Sequence, residues 1–471
     1  MHPFLMTEKH VKRLILIFLC SFLLVATSRA GHAGEVTLTP DNRMTIDVQD
    51  VYLQKILQEI ADQGVRVRID PEINFKVSAA YEGKPVREVL DAILTDTNHA
   101  LIWTDCPDCP DGEYRLTEIQ IYKSGHKDRM APLKDSNFNV ARDPETGALF
   151  IRHELLVKLQ NKLLLPRLKA ILRETGGRIV DKTESGIYRI RLPREIDELS
   201  FLNRLKEKTG ISGAEPNYAY QAPAPIRASH PRIDLPDISN RRPADNQVPV
   251  AVFDSGLAPE YQNQAYIIDA FNAIDPDAPV DDDLGHGTQM SMLAAGAIDP
   301  VGETDEGETV PVIAIRGFDA NGLTSNYSLM AGISRAMEKG ARVLSLSWHS
   351  ETRSEFLGRT LEEAASKGLT IVAAAGNEPT GKAVYPAAYE DVIGVGALHP
   401  GGKKWENSNF GDFVSYQAPG FANMPVGYKS DPGIYAGTSI STAFTANRIA
   451  DYLADHPSAD QKEIREFLKR Q

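Results

Sequence analysis

Three residues far apart in the chain have the types needed to activate a hydroxyl group. They are Asp254 in Val252-Phe-Asp254-Ser-Gly256, His286 in Gly285-His286-Gly-Thr288, and Ser439 in Gly437-Thr-Ser439-Ile-Ser. A serine hydroxyl is a poor nucleophile until a neighbouring base takes its proton. An imidazole, with an ordinary pKa of about 6.5, is suited to do so near neutral pH. A carboxylate behind it fixes the tautomer and stabilises the imidazolium as it forms. A fourth residue, Asn377 in Ala373-Ala-Ala-Gly-Asn377, could donate to the oxyanion of an acyl-transfer intermediate together with the amide of Ser439. Taken singly, each motif is weak, because a lone histidine or a turn asparagine is usually structural.

Taken together, the order Asp, His, Asn, Ser resembles that of the subtilase family (peptidase S8), over residues 249–455. Further agreements are Tyr385-Pro-Ala, Val395-Gly-Ala, Asn409-Phe-Gly and Ala418-Pro-Gly420. The resemblance implies a serine endopeptidase with Asp254, His286 and Ser439 as triad and Asn377 in the oxyanion hole. It also implies that Gly322, Leu323, Thr324, Ser347, Trp348, His349 and Gly376 contact substrate. The chain departs from the family pattern at Gln289, where a second histidine is usual, and at Thr442-Ala-Phe, where a proline is usual. It departs again at Ser345-Leu-Ser-Trp348-His349-Ser350, where the family has Ser-Leu-Gly-Gly. Trp348 and His349 are therefore expected to narrow or polarise the wall of the specificity pocket.

Elements must hold these residues together. Val250–Phe253, Val310–Ile315, Val343–Leu346, Thr370–Ala374 and Val392–Val395 are short β-rich runs. Helical stretches at Gly287–Gly296, Tyr327–Lys339 and Glu355–Lys367 separate some of them. Strand and helix in alternation predict a parallel sheet covered on both faces. A last helix at Ile464–Lys469 is expected to be capped by Ser458. The fold class is thus α/β, a subtilisin-like parallel sheet with helices on both faces over residues 249–471, preceded by two small α+β domains.

The nearer of these, residues 148–221, ends in Ala214-Glu-Pro-Asn-Tyr-Ala-Tyr220 and resembles the inhibitor-like prodomain of subtilases. The resemblance implies an intramolecular inhibitor. Residues 222–248 are rich in Pro, Arg and Asp and read as an exposed linker open to proteolysis. Residues 36–125 alternate strand and helix, with apolar stripes Leu53, Ile56, Leu57, Ile60 and Val86, Val89, Leu90, Ile93, Leu94. This segment resembles the short N-terminal domain of secretins and TonB-dependent receptors, on Ile46-Asp-Val-Gln-Asp-Val51 and Val86 to Leu94. That implies docking to another envelope protein, with a small folded cap as the other reading. Residues 126–147, broken by Pro132 and Pro144, read as a linker.

At the N-terminus, Lys9, Lys12 and Arg13 precede an apolar run from Leu14 to Ala26 and a small-residue stretch. This is the order of a secretory leader over residues 1–33, and it predicts export to periplasm or medium. Cys106 and Cys109 then remain as a pair. A local disulfide, a metal site needing more ligands, and a redox pair are the readings, the first preferred in an oxidising compartment. No cofactor is required by the triad. Calcium is a candidate at Asp275, Asp277 and Asp281 to Asp283, against a plain solvated acidic loop. A net charge of −13 argues against nucleic acid as the main partner. The partners expected are a protein or peptide substrate, the chain's own prodomain, and an envelope protein. The alternative is a non-catalytic binding module on a subtilase scaffold.

Overall fold

The structure, a computed structural model, describes residues 35–39, 41–61, 63, 65–70, 73–105, 114–123, 130–133, 138–207, 211–223, 226–228, 242–303, 309–425 and 432–471. The expected leader and the Cys106–Cys109 pair lie outside the described residues. Among the described residues, no helix is long and apolar enough to cross a membrane. Residues 1–134 and 135–471 form two units.

The first unit runs β1 (Glu35–Leu38), β2 (Arg43–Tyr52), α1 (Leu53–Ala61), β3 (Arg66–Ile69), β4 (Lys76–Pro85), α2 (Val86–Ile93), β5 (Asn98–Asp105), β6 (Tyr114–Tyr122) and β7 (Ala131–Pro132). Its sheets are ordered β1-β2-β4 and β5-β6-β3-β7. Both apolar stripes read from the sequence are buried in one core with Met44, Ile46 and Ile119. Pro85 stands at the N-cap of α2, where its missing N–H costs nothing.

The second unit begins with β8 (Val140–Arg142), β9 (Leu149–Leu159), α3 (Leu165–Thr175), β10 (Arg178–Lys182), β11 (Ile187–Arg191), α4 (Glu198–Lys206), β12 (Ile211–Gln221) and β13 (Ile226–Arg227). Three short strands therefore lie where linkers were expected, the first being β7, which pairs with β3 inside the 126–147 segment. β8 pairs with β9, inside the 126–147 segment, and β13 pairs with a strand near Ser439, inside the 222–248 segment. Strands of two or three residues at a sheet edge carry too little apolar periodicity to be seen in sequence.

The catalytic portion follows as β14 (Val250–Asp254), β15 (Ile267–Asn272), α5 (His286–Ala295), β16 (Val312–Arg316), β17 (Leu323–Ser325), α6 (Asn326–Glu338), β18 (Val343–Leu346), α7 (Glu355–Ser366), β19 (Thr370–Ala374), β20 (Val392–Leu398), β21 (Val414–Pro419), β22 (Phe421–Met424), β23 (Gly433–Ala436), α8 (Thr438–Asp455) and α9 (Gln461–Leu468). The main sheet is ordered β15-β16-β14-β18-β19-β20-β21, and every neighbouring pair is parallel. In β14 the pleat sends Val250 and Val252 into the core shared with α5 and α8. Ala251 and Phe253 go into the opposite core, shared with α6 and α7. Ser458 is not the cap of α9. Asp460 is, forming a reciprocal capping box with Glu463.

The prodomain strand β12 lies between β9 and β17 and joins the two halves of this unit. Its Glu-Pro-Asn-Tyr stretch caps two helices of the catalytic portion. Glu215 accepts from Ser354 Oγ, from Asn326 Nδ2 and from the Glu355 amide at the start of α7. Asn217 accepts from the Tyr327 amide at the start of α6 and donates to Glu154. Helix N-termini leave amides unpaired and favour anionic partners, so these contacts satisfy both. Burial, the dominant influence, pushes the Glu215 carboxyl up to about 7 although the Ser354 hydroxyl and the Glu355 and Phe356 amides favour its charged form. Docking therefore takes up a proton. The contribution is full below the ordinary value of 4.5 and is lost as pH rises through about 7. In the Ser439→Ala chain, melting midpoints read from about pH 5 to 8 should fall more steeply than in Ser439→Ala/Glu215→Gln. Parallel curves would contradict the buried-carboxyl account.

Candidate active site

Asp254 is the last residue of β14 and His286 the first of α5. They meet because Gly256 and Gly287 let two backbones nearly touch. A Cβ on Gly287 would fall 2.4 Å from the Gly256 carbonyl oxygen, a contact no side chain survives. The result is a contact of 2.7 Å between His286 Nδ1 and Asp254 Oδ1, with the residues 1% and 2% exposed. Asp254 Oδ1 also accepts from the Ser255 amide, and Ser255 Oγ accepts from the Gly287 amide. Burial is the largest influence on His286 and disfavours its charged form. The charge and hydrogen bond of Asp254, with Asp282, outweigh it and raise the imidazole above its ordinary value.

Ser439 is the second residue of α8, and β23 leads into it through Gly437. Its Oγ donates to the Ser347 carbonyl at 3.0 Å. Asn377 follows β19, and its Oδ1 accepts from both the amide and the hydroxyl of Thr438. Pinning the oxygen leaves Nδ2 on the other side of the amide. Nδ2 and the Ser439 amide lie 3.4 Å and 3.8 Å from the position a Cβ on Gly437 would take. Asn377 Oδ1 lies 3.7 Å from the same position, so the absent Cβ of Gly437 keeps this approach to Asn377 and Ser439 open.

Of the residues expected to contact substrate, Gly322, Leu323, Thr324 and Trp348 lie against the end of β12 or the residue after it. β12 pairs antiparallel with β17, with Tyr220 opposite Thr324 and Gln221 opposite Leu323. The Ala222 amide continues the ladder to the Gly322 carbonyl at 2.8 Å. Trp348 is fully buried, its ring 4.9 Å from that of Tyr220 and edge-on to Phe318, and it forms a floor under Tyr220. His349 is the residue that closes on Gly376, whose φ is +96° and whose missing Cβ leaves the imidazole room at 2.9 Å. Burial holds His349 below its ordinary value, with Glu378 and Glu351 opposing.

The acidic loop has other work. Asp282 accepts from the amides of Leu284, Gly285 and Thr288, and from the Thr288 hydroxyl. Asp283 pairs with Arg316, and Asp281 accepts from Gln262. Asp275 accepts from the Asp277 amide. Among the described residues, no group of three or more His, Cys, Asp or Glu could hold a metal ion. Asp282, expected as a calcium candidate or part of a solvated loop, ties the turn that delivers His286, a role its sequence context did not reveal. Ser255 and Thr438 were in the quoted motifs without a role.

Residues 245–471 match the Subtilase family (Peptidase_S8), and residues 136–217 match the Fervidolysin N-terminal prodomain. The latter match starts before the expected boundary at 148 and takes in β8. Subtilisin E of Bacillus subtilis (strain 168) is 24% identical over 305 residues, covering 64% of this chain and 79% of that protein. Subtilisin Savinase of Lederbergia lenta is 29% identical over 242 residues, covering 50% and 88%. Fervidolysin from Fervidobacterium pennivorans, a keratinolytic enzyme related to subtilisin, superposes with a TM-score of 0.55 at 21% identity. That match covers 72% of this chain and 60% of the fervidolysin chain, so this chain spans less than two thirds of its length.

Two measurements test the geometry. The base must be neutral, so kcat/KM should rise with pH through a midpoint above the ordinary histidine value of 6.5, and a midpoint below it contradicts the Asp254–His286 coupling. Asn377→Ala should lower kcat by about 10²–10³ with KM little changed; an unchanged kcat would remove Asn377 from the oxyanion site. Residues 245–471 thus match the Subtilase family behind a segment that matches the Fervidolysin N-terminal prodomain, and the relatives support a serine endopeptidase.

Proposed function

We propose that the chain is an exported zymogen whose mature domain hydrolyses peptide bonds through a Ser439 acyl-enzyme. The observation that carries this is the buried Asp254–His286 contact, with Ser439 at the start of α8 and Asn377 Nδ2 and the Ser439 amide both near Gly437. Ser439 Oγ attacks the substrate carbonyl, and His286 takes its proton and passes it to the leaving amine. Asp254 holds the imidazole in place, and Asn377 with the Ser439 amide receives the oxyanion. Water, activated by His286, then releases the acid. The reaction needs no cofactor.

The prodomain acts as the intramolecular inhibitor, supported by β12 lying along β17 with Tyr220 seated on Trp348. Export rests on the basic and apolar order of residues 9–26. A docking role for the first unit rests on its resemblance to the short domain of secretins and TonB-dependent receptors. His349 against Gly376 narrows the space beside Asn377 and supports a selective enzyme rather than a digestive one.

The purified chain and its Ser439→Ala variant, treated with a serine-directed fluorophosphonate and weighed as intact proteins, decide the matter. Wild type should gain the label and the variant should not. Equal silence in both favours the binding-module reading.

A further inference from the structure

Two short segments flank Ser439, and each is fixed in place. In the first, the Ser347 carbonyl accepts from Ser439 Oγ at 3.0 Å, and Ser347 Oγ donates to the Ser439 carbonyl at 3.4 Å. Trp348 follows, locked in the core edge-on to Phe318. Beyond His349, the Ser350 amide and carbonyl both bond to the backbone of Tyr385 at 2.8 Å. In the second segment, the Gly376 amide donates to Thr438 Oγ1 at 3.1 Å, and the Gly376 carbonyl accepts from the Asn409 amide at 2.9 Å. The same Thr438 hydroxyl donates to Asn377 Oδ1. Neither segment can retreat without breaking bonds that place Ser439 or Asn377. The His349 ring lies across the gap between them. Its Nε2, Cδ2 and Cε1 come within 2.9, 3.0 and 3.2 Å of the position a Gly376 Cβ would take.

A carbonyl attacked by Ser439 Oγ sits within bonding reach of that atom, so the side chain one bond back starts beside these two segments. Resting on the acyl-enzyme reading above, we propose that His349 determines specificity, as a fixed stop that limits the residue on the acyl side of the cut bond to glycine, alanine or serine. A longer side chain would have to displace an imidazole wedged between two anchored walls. Close-packed surroundings resist even one added methylene. Discrimination of this kind works through the clash with the wrong side chain, with no new attraction for the right one. Acidic side chains are opposed by charge as well as by size. Glu378 and Glu351 both act on the ring, the second of them paired with Lys382. Burial keeps the imidazole below its ordinary value, so at neutral pH it offers no cation to an incoming carboxylate. Lysine and arginine suit those two carboxylates, but their stems are too long to pass the ring.

The test uses the full chain, incubated at neutral pH with casein, an unfolded protein whose cut positions are then read by mass. Per residue available, cuts after Gly, Ala and Ser should exceed those after Leu, Met, Phe and Tyr at least about tenfold. In His349→Gly, with His349→Ala as a second truncation, that ratio should fall at least about tenfold. His349→Leu, which keeps the bulk without the ring nitrogens, should retain it. Wild type cutting mainly after Leu, Met, Phe or Tyr, or after Asp or Glu, overturns the stop. So does a ratio unchanged in both truncations, or lost equally in His349→Leu. If casein stays whole and no fluorophosphonate is taken up, the acyl-enzyme reading itself has failed, and this inference with it.

Discussion

An imidazole and a carboxylate held 2.7 Å apart out of water set the terms for the rest of the catalytic fold. Desolvating either group alone is costly, so the pair is tolerable only if its geometry is tight and its spare hydrogen-bonding capacity is filled. The sheet order places β14 in the interior between β16 and β18, which fixes Asp254 at a strand end with no freedom to drift. Gly256 and Gly287 then bring the start of α5 within reach, and Asp282 ties the preceding turn by four donors. Each of these is a response to one demand, that the imidazole neither rotate nor meet solvent.

The same logic governs how the prodomain is held. α6 and α7 both start at the surface facing it, and their open amides would otherwise be left to water. Ser325 and Ser354 cap one amide each. Glu215 and Asn217 take others from across the domain boundary. Leu156, Ile187 and Tyr220 from the prodomain belong to the same buried cluster as Phe253 and Leu346 of the catalytic sheet. The boundary is thus apolar at its centre with polar anchors at two helix ends, which gives both grip and register.

Much of this could be read before any coordinates. The motifs around Asp254, His286, Asn377 and Ser439 were legible because each sits where local chemistry punctuates a strand end or a helix start. The buried strands at Val250, Val343 and Thr370 were legible from continuous apolar runs. β15 was not, since it is an edge strand with Ile268 half exposed and Asp269 beside it. The hairpin of β22 and β23 escaped for want of length. Ser458 was chosen over Asp460 as a cap because both residue types serve, and only the Glu463 partnership decides between them. The contact of Trp348 with Tyr220 was not legible, because sequence shows its neighbours in the chain but not a ring from more than a hundred residues upstream.

Because β12 and β17 lie on one chain, the strand that pairs with β17 cannot diffuse away. A tethered occupant works at an effective concentration on the order of millimolar, set by chain geometry rather than by the amount of protein present. Any block that β12 sets on β17 is thus a property of each single molecule, the same at high protein concentration as at low. An untethered occupant would obey mass action instead, and dilution would weaken its hold.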